Sequence, residues 1–313
     1  MSACAAASDL RPSGAALARK AAAALAVVLA VVLALAPAAA RPDSVTETPA
    51  GSRAETPAVA PARVVSMNLC TDQLALLLAD PAQIVSLSWM ASDPSASVMA
   101  DRAAAYPANR GRAEEIYLLR PDLVLASTFS SPATLSMLAR LGLHVETYPP
   151  GATMGELRAA ITAMGAALGH PQRAAELLAA FDARLAALTT PPPARRPRAA
   201  LYAENSYASG ARTLEGQVLE AAGFDNIATA HGLDFGGRMP LEVLVMSAPE
   251  VVITETGRPG ARAARAQAVL SHPALAALRR ADVVAHRDWI CATPAVLDAI
   301  AALTDLRRRM ESE

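Results

Sequence analysis

Ala113-Glu114-Glu115-Ile116-Tyr117-Leu118-Leu119-Arg120-Pro121-Asp122-Leu123-Val124-Leu125 and Leu241-Glu242-Val243-Leu244-Val245-Met246-Ser247-Ala248-Pro249-Glu250-Val251-Val252-Ile253 are two versions of one pattern. In each, a Glu stands seven residues before a Pro, and the Pro is followed by an acid and three aliphatic residues. A residue that precedes Pro is pushed out of the helical region, so each copy predicts a short helix that stops before Pro121 or Pro249. The aliphatic triplets Leu123–Leu125 and Val251–Ile253 then read as buried strands of a parallel sheet. Two helix-turn-strand units 128 residues apart predict two lobes of related build.

At 313 residues the chain has room for two modest domains. Hydrophobic residues make up 53%, much of it Ala, and charged residues 18%, with a formal net charge of −1. There is no basic excess of the kind nucleic acid selects, so no nucleic-acid partner is expected. The only Lys is Lys20, and every other basic residue is Arg.

Residues 1–40 read as an export signal: Arg19 and Lys20 precede an apolar run from Ala21 to Ala36, and Ala38-Ala39-Ala40 is a small-residue cleavage site. The run is shorter than the roughly 20 residues a membrane span needs. Cleavage near Ala40 and a periplasmic location are expected. No Cys stands at the cleavage site to accept a lipid at the processed N-terminus, since Cys4 lies ahead of the run. Residues 41–62, with Pro42, Pro49, Pro57 and Pro61 among small polar residues, read as a disordered tether.

Beyond the tether, strands alternate with helices, which predicts α/β lobes with parallel sheets. The N-terminal lobe is assigned to 63–150, connecting helices and a linker to 151–198, and the C-terminal lobe to 199–313. Thr153-Met154-Gly155-Glu156 is a capping box. Pro171 to Leu188 carries an apolar stripe on a helix of roughly 27 Å, long enough to join the lobes. A further helix is predicted from Ala264 to Arg279.

Cys70 and Cys291 remain after cleavage. An oxidising compartment would pair them if their Cα atoms came within about 7 Å. Because they fall in different lobes, two free thiols are expected.

Ligands of α/β sheets bind outside the carboxyl ends of the strands. The exit loops there carry Asn68, Trp89, Asn109 and Arg110 in the first lobe, and Tyr207, Phe235, Arg238 and Trp289 in the second. Both Trp residues of the chain fall in such loops, which points to a ligand cleft between lobes lined by flat apolar faces. Signs of catalysis are sparse. Ser66, Ser88 and Ser209 lack a nucleophile-elbow context. The five His residues, 144, 170, 231, 272 and 286, have no metal-ligand spacing. His170 and His272, each before a Pro, read as surface punctuation. Tyr106, Tyr207 and His231 are candidate haem ligands, but each reads more readily as a packing residue. No metal site and no resident cofactor are expected.

An export signal, two α/β lobes, a joining helix and one repeated Glu per lobe resemble the helical-backbone (class III) solute-binding proteins of ABC importers. That family carries cobalamin, ferric siderophores and haem. Tyr207-Ala208-Ser209-Gly210, Gly216-Gln217-Val218-Leu219-Glu220, Asp225-Asn226-Ile227, and Asp288-Trp289 with Ala292-Thr293-Pro294 resemble its cobalamin-binding members. The resemblance covers about residues 63 to 310. It implies two Rossmann-like lobes on one long backbone helix, a mostly pre-formed cleft and no catalysed reaction. It implies that Glu114 and Glu242 dock onto an ABC permease, that the chain acts as a monomer, and that Trp89, Tyr207, Phe235 and Trp289 line the cleft. The chain departs at Asn109, where cobalamin-binding members have Trp, and it places Arg110 and Arg238 at the rim, which suits an anionic ferric siderophore. Haem-binding members' axial Tyr does not align with Tyr106. The expected ligand is therefore a metal chelate, cobalamin or a ferric siderophore. Haem, an exported two-lobed α/β enzyme, and a sensor or adhesion module are the alternatives.

Overall fold

Short apolar runs become parallel strands wherever a helix can cover them on the way back. The computed structural model describes residues 60–191, 194–256 and 265–313. Residues 1–40, read above as an export signal, and all but the last three of residues 41–62, read as a tether, lie outside these. The first lobe runs β1 (Val64–Ser66), α1 (Leu69–Leu78), β2 (Ile84–Ser88), α2 (Ala100–Ala103), β3 (Ala108–Asn109), α3 (Ala113–Leu118), β4 (Leu123–Ser127), α4 (Pro132–Arg140) and β5 (Val145–Tyr148). Its strands form one parallel sheet in the order β3-β2-β1-β4-β5. Two connecting helices follow, α5 (Met154–Ala167) and α6 (Pro171–Thr189).

The second lobe runs β6 (Arg198–Ala203), β7 (Tyr207–Ala208), α7 (Leu214–Ala221), β8 (Asp225–Asn226), α8 (Ile227–Ala230), β9 (Gly237–Arg238), α9 (Leu241–Met246), β10 (Val251–Thr256), α10 (Pro273–Ala276), β11 (Arg280–Ala285) and α11 (Val296–Glu311). Its sheet runs β11-β10-β6-β7-β9, with β8 beside β6. The sheet is mixed rather than wholly parallel, because β7 pairs antiparallel with both β6 and β9. The two lobes thus have separate sheets, as the repeat predicts.

The repeated units are topological equivalents. α3 leads into β4, which pairs in parallel with β1 on one side and β5 on the other. α9 leads into β10, which pairs in parallel with β6 and β11. They are also locked alike. Asp122 Oδ2 accepts the Ala62 and Arg63 amides at 2.9 Å each, and the Arg63 guanidinium donates to Leu119 O at 2.6 Å and Arg120 O at 2.9 Å. In the second lobe Glu250 accepts the Arg198 amide at 3.0 Å, and the Arg198 guanidinium donates to Ser247 O. So the acid after each Pro grips the residue that leads the lobe's first strand. The Arg in turn satisfies carbonyls that the end of the helix leaves open. These contacts show that order begins ahead of Arg63, so the end of the 41–62 segment belongs to the lobe; Pro61 O also accepts from Gln83 at 2.7 Å.

The joining helix α6 touches both lobes. At its start Arg173 donates to Leu78 O at 2.6 Å, and His170 Nε2 lies 2.8 Å from Gln83 Oε1. His170 is therefore a structural tie to the first lobe rather than surface punctuation. Further along, Arg184 meets Asp298 of α11 at 2.5 Å. One apolar core runs from Leu78 and Leu125 through Ile161 and Phe181 to Val251 and Ile300. The helix expected from Ala264 to Arg279 is broken. Arg265–Ser271 is a 3-10 segment, and His272 (ψ 137°) is extended before Pro273, as a pre-proline residue favours. Ala264 itself lies outside the described residues.

In both units the residue before Pro sits in the left-handed region: φ is 48° at Arg120 and 45° at Ala248. A Cβ there crowds the following carbonyl, while Gly would not. Ala248→Gly is expected to raise stability by about 0.5–1 kcal/mol in urea denaturation, an inversion of the usual cost of Gly.

Candidate ligand cleft

The first wall of the cleft lies at the carboxyl ends of β1, β3 and β4. A cavity of about 310 Å³ opens there, lined by Met67, Asn68, Arg110, Phe129 and Ser130 among others. Asn68 caps α1, its Oδ1 accepting the Cys70 amide at 2.9 Å. Phe129, which sequence reasoning passed over, is 81% exposed at the exit of β4. It is one of only four Phe residues, and the criterion that picked out the Trp pair would have found it. Asn109 does not join this wall. It is 1% exposed, donates to Ser66 O at 2.8 Å and Ser86 Oγ at 2.9 Å, and accepts from the Gly111 amide at 3.1 Å. Its polar atoms tie β1, β2 and β3 together, and its burial keeps it from a ligand. Trp89 is half exposed after β2 but lines neither this cavity nor the next.

The second wall brings together Tyr207, Phe235 and Trp289. Asn205 and Ser206 both take left-handed φ, 57° and 60°, and turn β6 sharply into β7. Tyr207 is then directly opposite Arg238 across the antiparallel pair, so both side chains leave the same face. Gly236 lies beneath the ring: a Cβ there would sit 2.2 Å from the Tyr207 hydroxyl. The cavity of about 340 Å³ is lined by these aromatics together with Gly151, Arg212, Glu215 and Ile290. The Arg212 guanidinium stacks 4.6 Å from the Phe235 ring centre. Arg238 is exposed but lines neither cavity.

Behind this wall Glu255 bridges Trp289 Nε1 and His286 Nδ1, each at 2.7 Å. Burial works against the Glu255 carboxylate, but those two partners overcome it and hold its pKa below the ordinary range. Glu215, in the first turn of α7, is pushed up by burial, with the charge of Glu255 adding to it. Neither acid was singled out by sequence, since both occupy places where a solvated Glu is ordinary. Among the described residues no group of three or more His, Cys, Asp or Glu side chains is placed to hold a metal ion.

The floor joins the two walls covalently. Cys70 and Cys291 form a disulfide with Cα atoms 5.1 Å apart. This overturns the expectation of two thiols. Cys70 follows the exit of β1 and Cys291 the loop after β11, and these two loops meet although their lobes are separate. Leu69, Ala96, Met90 and Ile290 pack around the bridge, and Arg287 donates to Pro94 O at 2.9 Å across the same seam.

Beneath the first wall, fully buried Asp72 accepts from the Ser88 amide at 3.1 Å and from the Ser88 hydroxyl. Burial raises its pKa from 3.8 to about 6, and the hydrogen bonds from Ser66 and Ser88 only partly oppose this. Glu114 and Glu242 are both exposed, in the first turns of α3 and α9.

A family model described as "Periplasmic binding protein" matches residues 64–285. The chain belongs to that family. Among curated relatives, the cobalamin-binding protein of Halobacterium salinarum is 29% identical over 215 residues, which is 67% of this chain and 58% of that protein. The match thus spans little more than half of that relative's length. Among solved structures, the heme-binding protein HutB of Vibrio cholerae superposes with a TM-score of 0.64 at 20% identity, covering 78% of this chain and 98% of that one. The vitamin B12-binding protein BtuF of Vibrio cholerae gives 0.57 at 18% identity, covering 81% and 99%. These likenesses bear out the two-lobed fold. Among the described residues no helix of this periplasmic binding protein is long and apolar enough to cross a membrane.

Thiol titration of the unfolded full chain without reductant is expected to count one group, Cys4, rising to three after reduction. Cys70→Ser should lower stability by up to roughly 5 kcal/mol from the closed loop it opens. For Asp72 the folded pKa lies above the unfolded one, so its contribution is fully present below pH 3.8 and lost as pH rises to about 6. The stability of Asp72→Asn relative to wild type should therefore rise across that window by something on the order of 3 kcal/mol, read by denaturation at each pH.

Proposed function

We propose that this chain is the exported receptor of an ABC importer, binding a metal chelate between its lobes and handing it to a membrane permease. The observation that carries this is a pair of cavities, one lined by exit loops of the first lobe and one mainly by those of the second, each with an exposed aromatic and an Arg: Phe129 with Arg110, and Phe235 with Arg212. A bulky ligand with apolar faces and polar or anionic edges matches that chemistry, and each cavity alone is small for it. Cobalamin or a ferric siderophore fits best. Curated cobalamin-binding relatives support the former, and the Arg groups at the rim support the latter. Haem is the nearest alternative, since haem-binding proteins recur among the structural neighbours. The signal segment would place the receptor in the periplasm, where its disulfide is stable. Glu114 and Glu242 would meet the permease, with electrostatic pairing setting orientation and register.

The enzyme reading rests on Glu215, Glu255 and His286 gathering near the second wall. Glu255, however, is already shared between His286 and Trp289, which fits a support for the Trp ring better than a free general base. Recovery of the ligand chemically unchanged after long incubation would separate the two readings.

Cyanocobalamin, ferric hydroxamates, ferric catecholates and haemin should be titrated into the protein while Trp fluorescence is followed. One class is expected to quench at micromolar levels, and no quenching by any would refute the ligand class. Tyr207→Ala and Phe235→Ala should each weaken that binding by roughly tenfold without changing the circular dichroism spectrum.

A further inference from the structure

One polar group of the second wall is left over once the aromatics and the support of Trp289 are accounted for. Glu215 lines the cavity of about 340 Å³ beside Tyr207, Arg212, Phe235 and Trp289. An acid in the first turn of a helix is ordinary, because the helix dipole favours it there. Such an acid usually faces water, whereas Glu215 is half-buried and faces the cavity.

The groups around it are already engaged. Arg212 stands three residues earlier on the same wall, but its guanidinium lies over the Phe235 ring. Glu255 is shared between Trp289 and His286. Among the described residues Glu215 forms no ion pair. Burial pushes its pKa up, and hydrogen bonds from its own amide and Thr213 only partly oppose this. Its charge reaches Tyr207, whose hydroxyl burial pushes up first and Glu215 pushes further.

The backbone beneath Glu215 is held tightly. Thr213 Oγ1 accepts the Gly216 amide at 3.1 Å and donates to Gly210 O at 2.8 Å. A Cβ on Gly216 would overlap the Gly210 carbonyl, so the first turn of α7 presses directly on the loop before it. The Arg212 amide donates to Asp234 O at 2.7 Å. The carboxyl thus stands on a fixed turn when a ligand arrives.

We propose that Glu215 is a specificity-determining residue of the cleft, accepting N–H groups from the ligand's rim and turning away rims that carry carboxylates. This rests on the receptor reading above and narrows the chelate to one edged with amide donors. A half-buried carboxylate gains a charge-assisted hydrogen bond from a ligand N–H. A ligand carboxylate in the same place would set two like charges side by side in a cavity poor in water, and that repulsion is what discriminates.

The test presents each class of chelate to the full-length protein as a pair differing by a rim carboxylate, at about pH 8, well above the ordinary carboxyl range. The pairs are cyanocobalamin and its isomers with one ring amide hydrolysed, haemin bis-amide and haemin, and N-acetyl and N-succinyl ferrioxamine B. In whichever pair binds, the amide member is expected to bind about tenfold or more tightly than the acid; for cyanocobalamin, at least one isomer should show this. Glu215→Gln keeps the shape and removes the charge, and it should shrink that ratio towards one by strengthening the acid member. Equal affinity within the pair, or tighter binding of the acid, overturns the inference while the receptor reading stands. Binding of a ferric catecholate alone does the same, since its rim is anionic. A Gln variant that weakens both members alike gives Glu215 a structural role only, and equally overturns it. If no chelate binds, the receptor reading fails and this inference with it.

Discussion

In each lobe a guanidinium and a carboxylate fasten the opening strand to a helix-turn-strand unit, and the molecule is arranged around that pair of clamps. Arg63 with Asp122, and Arg198 with Glu250, join segments far apart in sequence at the amino ends of the central strands. The Glu250 carboxyl is held below its ordinary pKa first by the Arg198 amide and then by Arg195 and Arg198, so this grip is present at neutral pH and lost in acid. The clamp fixes strand neighbours, and with them the carboxyl ends where the exit loops gather.

The opposite ends of the two sheets meet over a shared floor. The Cys70–Cys291 bridge, its apolar collar and the α6 helix limit how far the walls part. A cleft constrained on its floor and along its back loses little conformational freedom when a ligand enters, which favours a rigid, bulky ligand over a small flexible one. The aromatic residues stand exposed above that floor, while Trp289 is buried against Glu255 and stiffens the second wall.

The parts legible in the sequence were those with local causes. Pro121 and Pro249 ended their helices, Thr153 capped α5 through Glu156 at 3.1 Å, and Gly223 at φ 90° closed α7. Aliphatic triplets gave the central strands. What escaped depended on contacts across the chain. The β7–β9 ribbon has two residues per strand, too few to show a period. The disulfide required two lobes to meet at one seam, and Asn109 in an exit loop looks like a ligand group until its partners are known. The acid after each Pro was visible as a pattern, but its purpose came only with the Arg that it grips.

The receptor reading requires one ligand to touch both lobes. A crystal structure of the protein with the chelate that quenches its fluorescence tests this most directly. Density is expected to be bounded by Phe129 and Arg110 on one side and by Tyr207, Phe235 and Arg212 on the other. Density confined to a single lobe, or lying away from the Cys70–Cys291 floor, would contradict it.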